Sequence, residues 1–179
     1  MAGRAPRTAV GSAHARGRFA VIAARFNEAI SKKLLDGALA VFAAHRIPAS
    51  GVEVHWVPGS FELPQAALAL ARTGRYAGLV CVGAVIRGET PHAEYVSQAA
   101  AQGIGRAALE SGVPISFGVI TALTEEQAWA RAGGAVANRG EEAARAALEM
   151  AEWLARVRGR PIARAGSRRG GSPRGKRGG

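Results

Sequence analysis

Residues 79–86 read Leu79-Val80-Cys81-Val82-Gly83-Ala84-Val85-Ile86, and Arg87-Gly88-Glu89-Thr90-Pro91-His92 follows at once. The first run is uncharged, rich in β-branched residues and too short for an ordinary helix. That describes a strand buried on both faces, and therefore central in its sheet. The second run contains Gly and Pro, which interrupt regular structure. Helical spacing then occupies 93–111, with Gly112 placed as its stop. A buried strand emptying into a glycine turn ahead of a helix is the unit of an α/β sheet.

The same unit recurs on both sides. Phe19 to Ala24 is a second uncharged, buried strand; Ile30, Leu34, Leu35, Ala38, Leu39 and Phe42 then repeat at helical spacing, and Pro48 closes that region. Val52, Val54 and Trp56 alternate with Glu53 and His55, which predicts a half-exposed or edge strand. Pro58-Gly59 is a turn, and 61–73 reads as helix with Gly74 as its stop. Ile115 to Thr121 is a further strand. Thr124 before Glu125 and Glu126 has the form of an N-cap with first-turn acids. A last helix covers about 140–155. Strand and helix alternate four times, with one extra helix, so the expected architecture is α/β with a mostly parallel sheet covered on both faces. Ligands of such sheets bind beyond the carboxyl ends of the strands, at 25–29, 57–62, 87–93 and 121–125.

Charge divides the chain into three. The formal net charge of the 179 residues is +11. Residues 1–18 hold four Arg and no acid; residues 156–179 hold eight Arg, Lys176 and no acid. Residues 19–155 are left with a net charge of −2. The expected organisation is a basic arm at 1–18, a near-neutral domain at 19–155, and a disordered Arg/Gly-rich tail at 156–179. Cys81 is the one cysteine, which excludes a disulfide framework and a Cys-based zinc site. No apolar run approaches a membrane span, and Phe19–Ala24 is too short for a signal segment. A reducing, cytoplasmic setting is expected.

Two motifs fail. Gly103-Ile104-Gly105-Arg106-Ala107-Ala108 fits half of a dinucleotide fingerprint, but it lies inside a helix and not at a strand-to-helix turn, so close helix packing is the better reading. Gly170 to Lys176 resembles a phosphate loop until Arg177 replaces the required hydroxyl residue. His14, His45 and His55 are read as solvated, and no metal site is expected.

The segment that stands is Gly83 to His92. Gly88 allows close approach to a ligand, Glu89 and Thr90 offer backbone N–H groups to an anion at a helix start, and His92 falls in the first turn. Histidine is the side chain suited to moving protons near neutral pH.

Four blocks, in order, carry a resemblance: Phe19–Leu39 (FAVIAARFNEAISKKLLDGAL), Trp56–Pro64 (WVPGSFELP), Gly83–Val96 (GAVIRGETPHAEYV), and Gly112–Thr121 followed by Glu126–Gly133 (EQAWARAG). Together they resemble the lumazine synthase family of riboflavin biosynthesis over about 19–155. The resemblance implies a flavodoxin-like three-layer α/β/α sandwich around a four-stranded sheet. It implies condensation of 5-amino-6-(D-ribitylamino)uracil with 3,4-dihydroxy-2-butanone 4-phosphate, without a cofactor. It places Phe26 against the pyrimidine ring with Asn27 beside it. It gives the ribityl chain to Ser60, Phe61 and Glu62, and the pyrimidine edge to backbone at Ala84, Val85 and Ile86. Gly88, Glu89 and Thr90 match the phosphate turn, and Arg131 matches the Arg that pairs with phosphate. His92 matches the proton-transfer residue, and Phe117 an aromatic contributed by a neighbouring subunit. It also implies a homopentamer or a 60-subunit icosahedral shell with active sites at subunit interfaces, and riboflavin synthase as a candidate partner.

The departures are local. Arg139-Gly140 stands where the family often has Lys-Gly, so Arg139 is an additional candidate of altered shape. Ala93 replaces an aromatic often found after the histidine. Gly133 to Asn138 keeps the length of the family loop but not its residues, and that length leans towards the shell. The alternative within the same fold is a non-catalytic flavin- or lumazine-binding relative, against which His92 and Arg131 both speak. A protein acting on nucleic acid through its Arg-rich ends is a third reading. No aromatic is interleaved with those arginines, so only nonspecific phosphate attraction is expected there.

Overall fold

The computed structural model describes residues 17–159. Strand β1 (Arg18–Ala24) leads into helix α1 (Glu28–Ala44), and a single 3-10 turn (Ala49–Gly51) precedes β2 (Val52–Val57). Helix α2 (Leu63–Arg72), β3 (Tyr76–Ile86), α3 (His92–Ser111), β4 (Ile115–Ala122), the short α4 (Glu125–Ala130) and α5 (Arg139–Gly159) complete the order. All four strands are parallel, in the order β2-β1-β3-β4. The fold is a three-layer α/β sandwich of flavodoxin-like type, as expected. Strand β3 is interior, paired with both β1 and β4, and β2 is an edge.

Side-chain alternation builds two cores from one sheet. Phe19, Val21 and Ala23 of β1, with Val80, Val82 and Ala84 of β3, face α1, α4 and α5. Ala20, Ile22, Leu79, Cys81 and Val85 face α2 and α3. Phe19 and Phe42 meet in the first core with ring centroids 5.0 Å apart. Burial raises the Cys81 thiol to a pKa of about 12, so it behaves as a small apolar side chain.

The turns follow local chemistry. Gly74 and Gly112 hold φ of 69° and 67°, the left-handed conformation that stops α2 and α3. Thr124 accepts from the Gln127 N–H, so it caps α4. Small residues at 103 and 140 permit close approach. A Cβ on Gly103 would lie 2.7 Å from the Pro64 ring, so that glycine of the failed fingerprint serves α3–α2 packing. Gly105 faces open space and does not. A Cβ on Gly140 would lie 1.9 Å from the Leu34 carbonyl oxygen, where α5 crosses α1.

Several boundaries differ from the sequence expectation. Arg18, assigned to the basic arm, opens β1, because its guanidinium pairs with Glu53 on the neighbouring strand. Helix α5 continues past Ala155 to Gly159, where Arg158 donates to the Gly112 carbonyl across the fold. The expectations for 1–16 and 160–179 lie outside the described residues. Phe61 lies in a turn ahead of α2, not in its first turn. His55 is half-buried beside Glu53, 3.3 Å away, instead of freely solvated. No helix among the described residues is long and apolar enough to cross a membrane.

Glu53 gathers Tyr76, Arg75, Arg18 and His55 at the start of the sheet. The Tyr76 hydroxyl donates to the Glu53 carboxylate, and with the flanking guanidinium groups this holds its pKa below the usual carboxylate range. A depressed carboxylate stabilises the fold above its unfolded pKa, and that contribution is lost as pH falls through the folded value. Glu53→Gln is therefore expected to lower the urea midpoint at neutral pH, with the gap to the parent chain closing below about pH 4. A gap that stays constant into acid would contradict this role. Gly140→Ala is expected to cost about 2–3 kcal/mol in urea unfolding, because backbone blocks the new methyl group.

Candidate active site at the carboxyl ends of the strands

The two central strands diverge at their carboxyl ends. β1 leads to α1 on one face of the sheet and β3 leads to α3 on the other. This is the topological switch point, where such sheets place their ligands. The β1–β3 ladder stops at the pair Ala23–Val82, while β1 keeps its bonds to the other neighbour through Arg25 N–H to Val57 O and Phe26 N–H to Pro58 O.

Asn27 bridges the opening. It holds φ 60° and ψ 45°, a left-handed conformation that Asn tolerates better than most residues. Its carbonyl accepts from the Ile30 and Ser31 N–H groups at the start of α1. Its side-chain amide donates to the Ala84 carbonyl at 2.9 Å. Strand parity then assigns the next groups. The Arg87 N–H bonds to Ala122 of β4, so Arg87 and Val85 direct their backbone towards β4. Ala84 and Ile86 direct theirs towards the opening. The Ile86 N–H and C=O are thus presented where β1 has ceased to pair, and one lone pair of Ala84 is already engaged by Asn27.

The turn at 58–62 closes the site from the β2 side. Ser60 is buried, and a Cβ on Gly83 would lie 2.7 Å from its hydroxyl and 3.1 Å from the Ala24 methyl. Gly83 is therefore what allows this turn to sit on the strand ends. A Cβ on Gly59 would lie 3.2 Å from the Glu62 carboxylate and 3.9 Å from Phe26 Cβ, so these two side chains flank one spot. Phe26, Asn27, Ser60, Glu62 and Ala84 form one cluster.

The aromatic side chains divide sharply. Of the five phenylalanines, Phe19 and Phe42 are core residues, whereas Phe26, Phe61 and Phe117 are 72%, 60% and 43% exposed. The exposed three are the three expected to serve a ligand. Exposed aromatics near a cleft are the informative exception in a soluble fold.

Past β3, Arg87, Gly88, Glu89 and Thr90 form an exposed turn. Gly88 has open space where a Cβ would stand, so nothing in this chain demands glycine there. His92 is exposed and is the first residue of α3, whose opening N–H groups have no partner within the helix. Turn and helix start together offer an anion-binding edge.

Three expected residues stand apart. Phe117, the third residue of β4, pairs with Cys81, about 17 Å short of the strand's carboxyl end at 3.3 Å per residue. Arg131 ends α4, in the layer of α1 and α5, whereas His92 opens α3 in the other layer. The Arg131 guanidinium donates to the Gln127 carbonyl at 2.9 Å. Arg139 bonds through its N–H to the Arg131 carbonyl and pairs with Glu142. These two arginines therefore lie together, on the other side of the sheet from the 87–90 turn.

The sequence reading missed Asn138. Its side chain accepts from the Gly140 and Glu141 N–H groups, capping α5, and donates to the Lys33 carbonyl of α1. The signal was present, because Asn directly before a helix is a strong N-cap. An open groove of about 710 Å³ lies nearby, lined by Lys33, Gly37, Trp129, Gly134, Asn138 and Glu141 among others. It contains none of the expected ligand residues. Among the described residues, no group of three His, Cys, Asp or Glu is placed to hold a metal ion.

Asn27→Ala is expected to destabilise the chain by about 1–2 kcal/mol, since it removes the bridge and strains the left-handed backbone. Asn27→Gly removes only the bridge and is expected to cost less. Chemical denaturation of both variants checks the split, and a Gly variant as unstable as the Ala variant would contradict the backbone term.

A family model described as 6,7-dimethyl-8-ribityllumazine synthase matches residues 16–155 of the chain.

Proposed function

The chain belongs to the 6,7-dimethyl-8-ribityllumazine synthase family, and from this premise we propose that it condenses 5-amino-6-(D-ribitylamino)uracil with 3,4-dihydroxy-2-butanone 4-phosphate. The product is 6,7-dimethyl-8-ribityllumazine, formed in the penultimate step of riboflavin biosynthesis. The observation that carries this reading is the cluster at the switch point, where Asn27 bonds Ala84 and exposed Phe26 lies with Glu62 beside the Gly59 turn.

In this reading Phe26 stacks on the pyrimidine, with Asn27 holding the pocket wall beside it. Ala84, Val85 and Ile86 supply the backbone that reads the pyrimidine edge. Strand parity supports Ile86 as the freest of these groups. Ser60, Phe61 and Glu62 take the ribityl chain, with the Glu62 carboxylate accepting from its hydroxyls. Gly88, Glu89 and Thr90 hold the phosphate at the start of α3. The open space at Gly88 supports a ligand, not internal packing, as the reason for glycine.

The chemistry asks little of the protein beyond placement. The amine attacks the ketone to form an imine with loss of water. Phosphate then leaves, and ring closure expels a second water. No electron transfer occurs, so no redox cofactor is needed. Holding two substrates together supplies much of the rate. His92, beside the phosphate turn, accepts and returns protons.

The site is completed by a second copy of the chain. Phe117 is the third residue of edge strand β4, and Arg131 with Arg139 lies in the other layer. Each is poorly placed to reach His92 of its own chain, which supports a role towards a neighbour. Arg131 would pair with phosphate through two parallel N–H groups, the geometry guanidinium favours. In this reading the chain takes the family's pentamer, and the 133–138 loop, which keeps the family's length, favours a shell of sixty subunits.

The test is an assay with both substrates, following lumazine absorbance and fluorescence. His92→Ala is expected to lower kcat by about 100-fold or less, with assembly intact, because placement carries most of the rate. Binding of lumazine without turnover by the parent chain would overturn the catalytic reading in favour of a non-catalytic relative. Light scattering of the same preparation is expected to give about 1.1 MDa, sixty chains of 18.4 kDa. A mass near five chains, about 92 kDa, would overturn the shell.

A further inference from the structure

Helix α5 buries one face and leaves a second apolar line uncovered. Ala143, Ala144, Ala147 and Leu148 are buried, and Ala151 packs against the same core. Ala146, Met150, Trp153 and Val157 are exposed, the last three at 43%, 49% and 49%. They follow one another at intervals of four, three and four residues. At about 3.6 residues per turn, that spacing keeps all four in one narrow row along the helix. A row of this kind is the seam of paired helices, whereas the wider apolar face of α5 is already spent on the globular core.

The residues beside the seam indicate what covers it. Helical geometry puts Glu149 and Arg156 on one flank, and Ala147 and Leu154 on the other. Charge beside the seam is thus confined to one flank, with the acid ahead of Trp153 and the base after it. Two parallel helices would set each charged flank against the partner's uncharged one. Two antiparallel helices bring like flanks together. A two-fold axis through Trp153 then sets Met150 of each copy against Val157 of the other, and Glu149 against Arg156. Both pairs are centred within about half a residue of position 153, so one register satisfies apolar and charged groups together. A carboxylate accepts from more than one donor, so a contact of Glu149 within its own chain is compatible with one across the seam.

We propose that this row on α5 is an isologous contact with a second copy of the chain, antiparallel about Trp153. It is distinct from the contact that completes the active site. A ring of five joins unlike surfaces head to tail, whereas this seam is complementary to itself and therefore joins one ring to another. The seam stands on α5 alone; its place between rings rests on the pentameric reading above. A tryptophan at the centre of the contact is where binding energy concentrates. Four seam residues are far fewer than the roughly 20–30 residues a side of a standard interface. A single seam is therefore weak, and repetition around a ring supplies the rest.

Light scattering of charge variants tests the seam. Glu149→Arg alone, or Arg156→Glu alone, sets like charges together at both ends of the contact. The mass is then expected to fall to a single ring of about 92 kDa. The double variant exchanges both signs and is expected to regain the parent mass. Residues 149 and 156 lie about 10 Å apart along their own helix at ~1.5 Å per residue, so the rescue cannot arise within one chain. Far-UV circular dichroism and turnover are expected to match the parent chain throughout. Cross-linking reads the geometry independently of mass and activity. Cys81 is buried, with its thiol pKa raised to about 12, and does not compete. Chains carrying Met150→Cys and chains carrying Val157→Cys are co-expressed under different tags and treated with a short bismaleimide. The mixed dimer is expected to exceed either self-linked dimer at least about fivefold. An excess of self-linked dimers, which parallel helices would give, overturns the proposal, and so does the absence of any linked product. An active shell of sixty chains that keeps its mass in both charge variants overturns the seam and leaves the synthase reading. An inactive chain that still gives the mixed dimer removes the synthase reading and leaves the seam.

Discussion

Parallel strands that part company leave backbone without partners, and the site exists because one amide spans that gap. Beyond Ala23 and Val82 the central ladder ends, since β1 must turn to α1 and β3 to α3 on opposite faces. Asn27 resolves three demands at once. It bends the chain through a left-handed residue, starts α1 with its carbonyl, and caps the Ala84 carbonyl with its side chain. What it leaves uncapped at Ile86 is polar backbone facing the crevice. A larger bridge would close the crevice, and none would leave buried polar groups unsatisfied.

Glycine and serine set how closely the neighbouring turn can approach this crevice. Ser60 sits over Gly83 only because residue 83 has no side chain, and Glu62 lies against Gly59 for the same reason. Phe26 then stands exposed beside a narrow polar opening. Exposure of this kind is unfavourable for an isolated chain and is offset when a ligand or a neighbouring copy covers the ring.

Much of the fold was legible locally. The uncharged run 79–86 had to be interior because nothing in it tolerates water, and it is paired on both sides. The alternation at 52–57 marked an edge, and β2 is one. Gly74, Gly112 and Thr124 announced their turns through backbone preferences that hold in any context. Boundaries were less legible where a distant partner extends an element. Arg18 joins β1 through Glu53, and α5 runs on to Gly159, beyond the stop expected near Ala155. The switch-point loops were identifiable from topology, but the capping role of Asn27 and the tie made by Asn138 depend on residues 57 and 105 positions away.

The amino-acid sequence by itself determined the alternation of strand and helix, the interior position of β3, the loops beyond the strand ends and the family resemblance. Each follows from hydrophobic period, turn chemistry or motif order, all of which are properties of neighbours along the chain. Only the tertiary structure decided that Asn27 closes the β1–β3 gap and that Phe117 and Arg131 stand away from His92. Those are facts about which segments become adjacent when a parallel sheet is wound with helices on both faces.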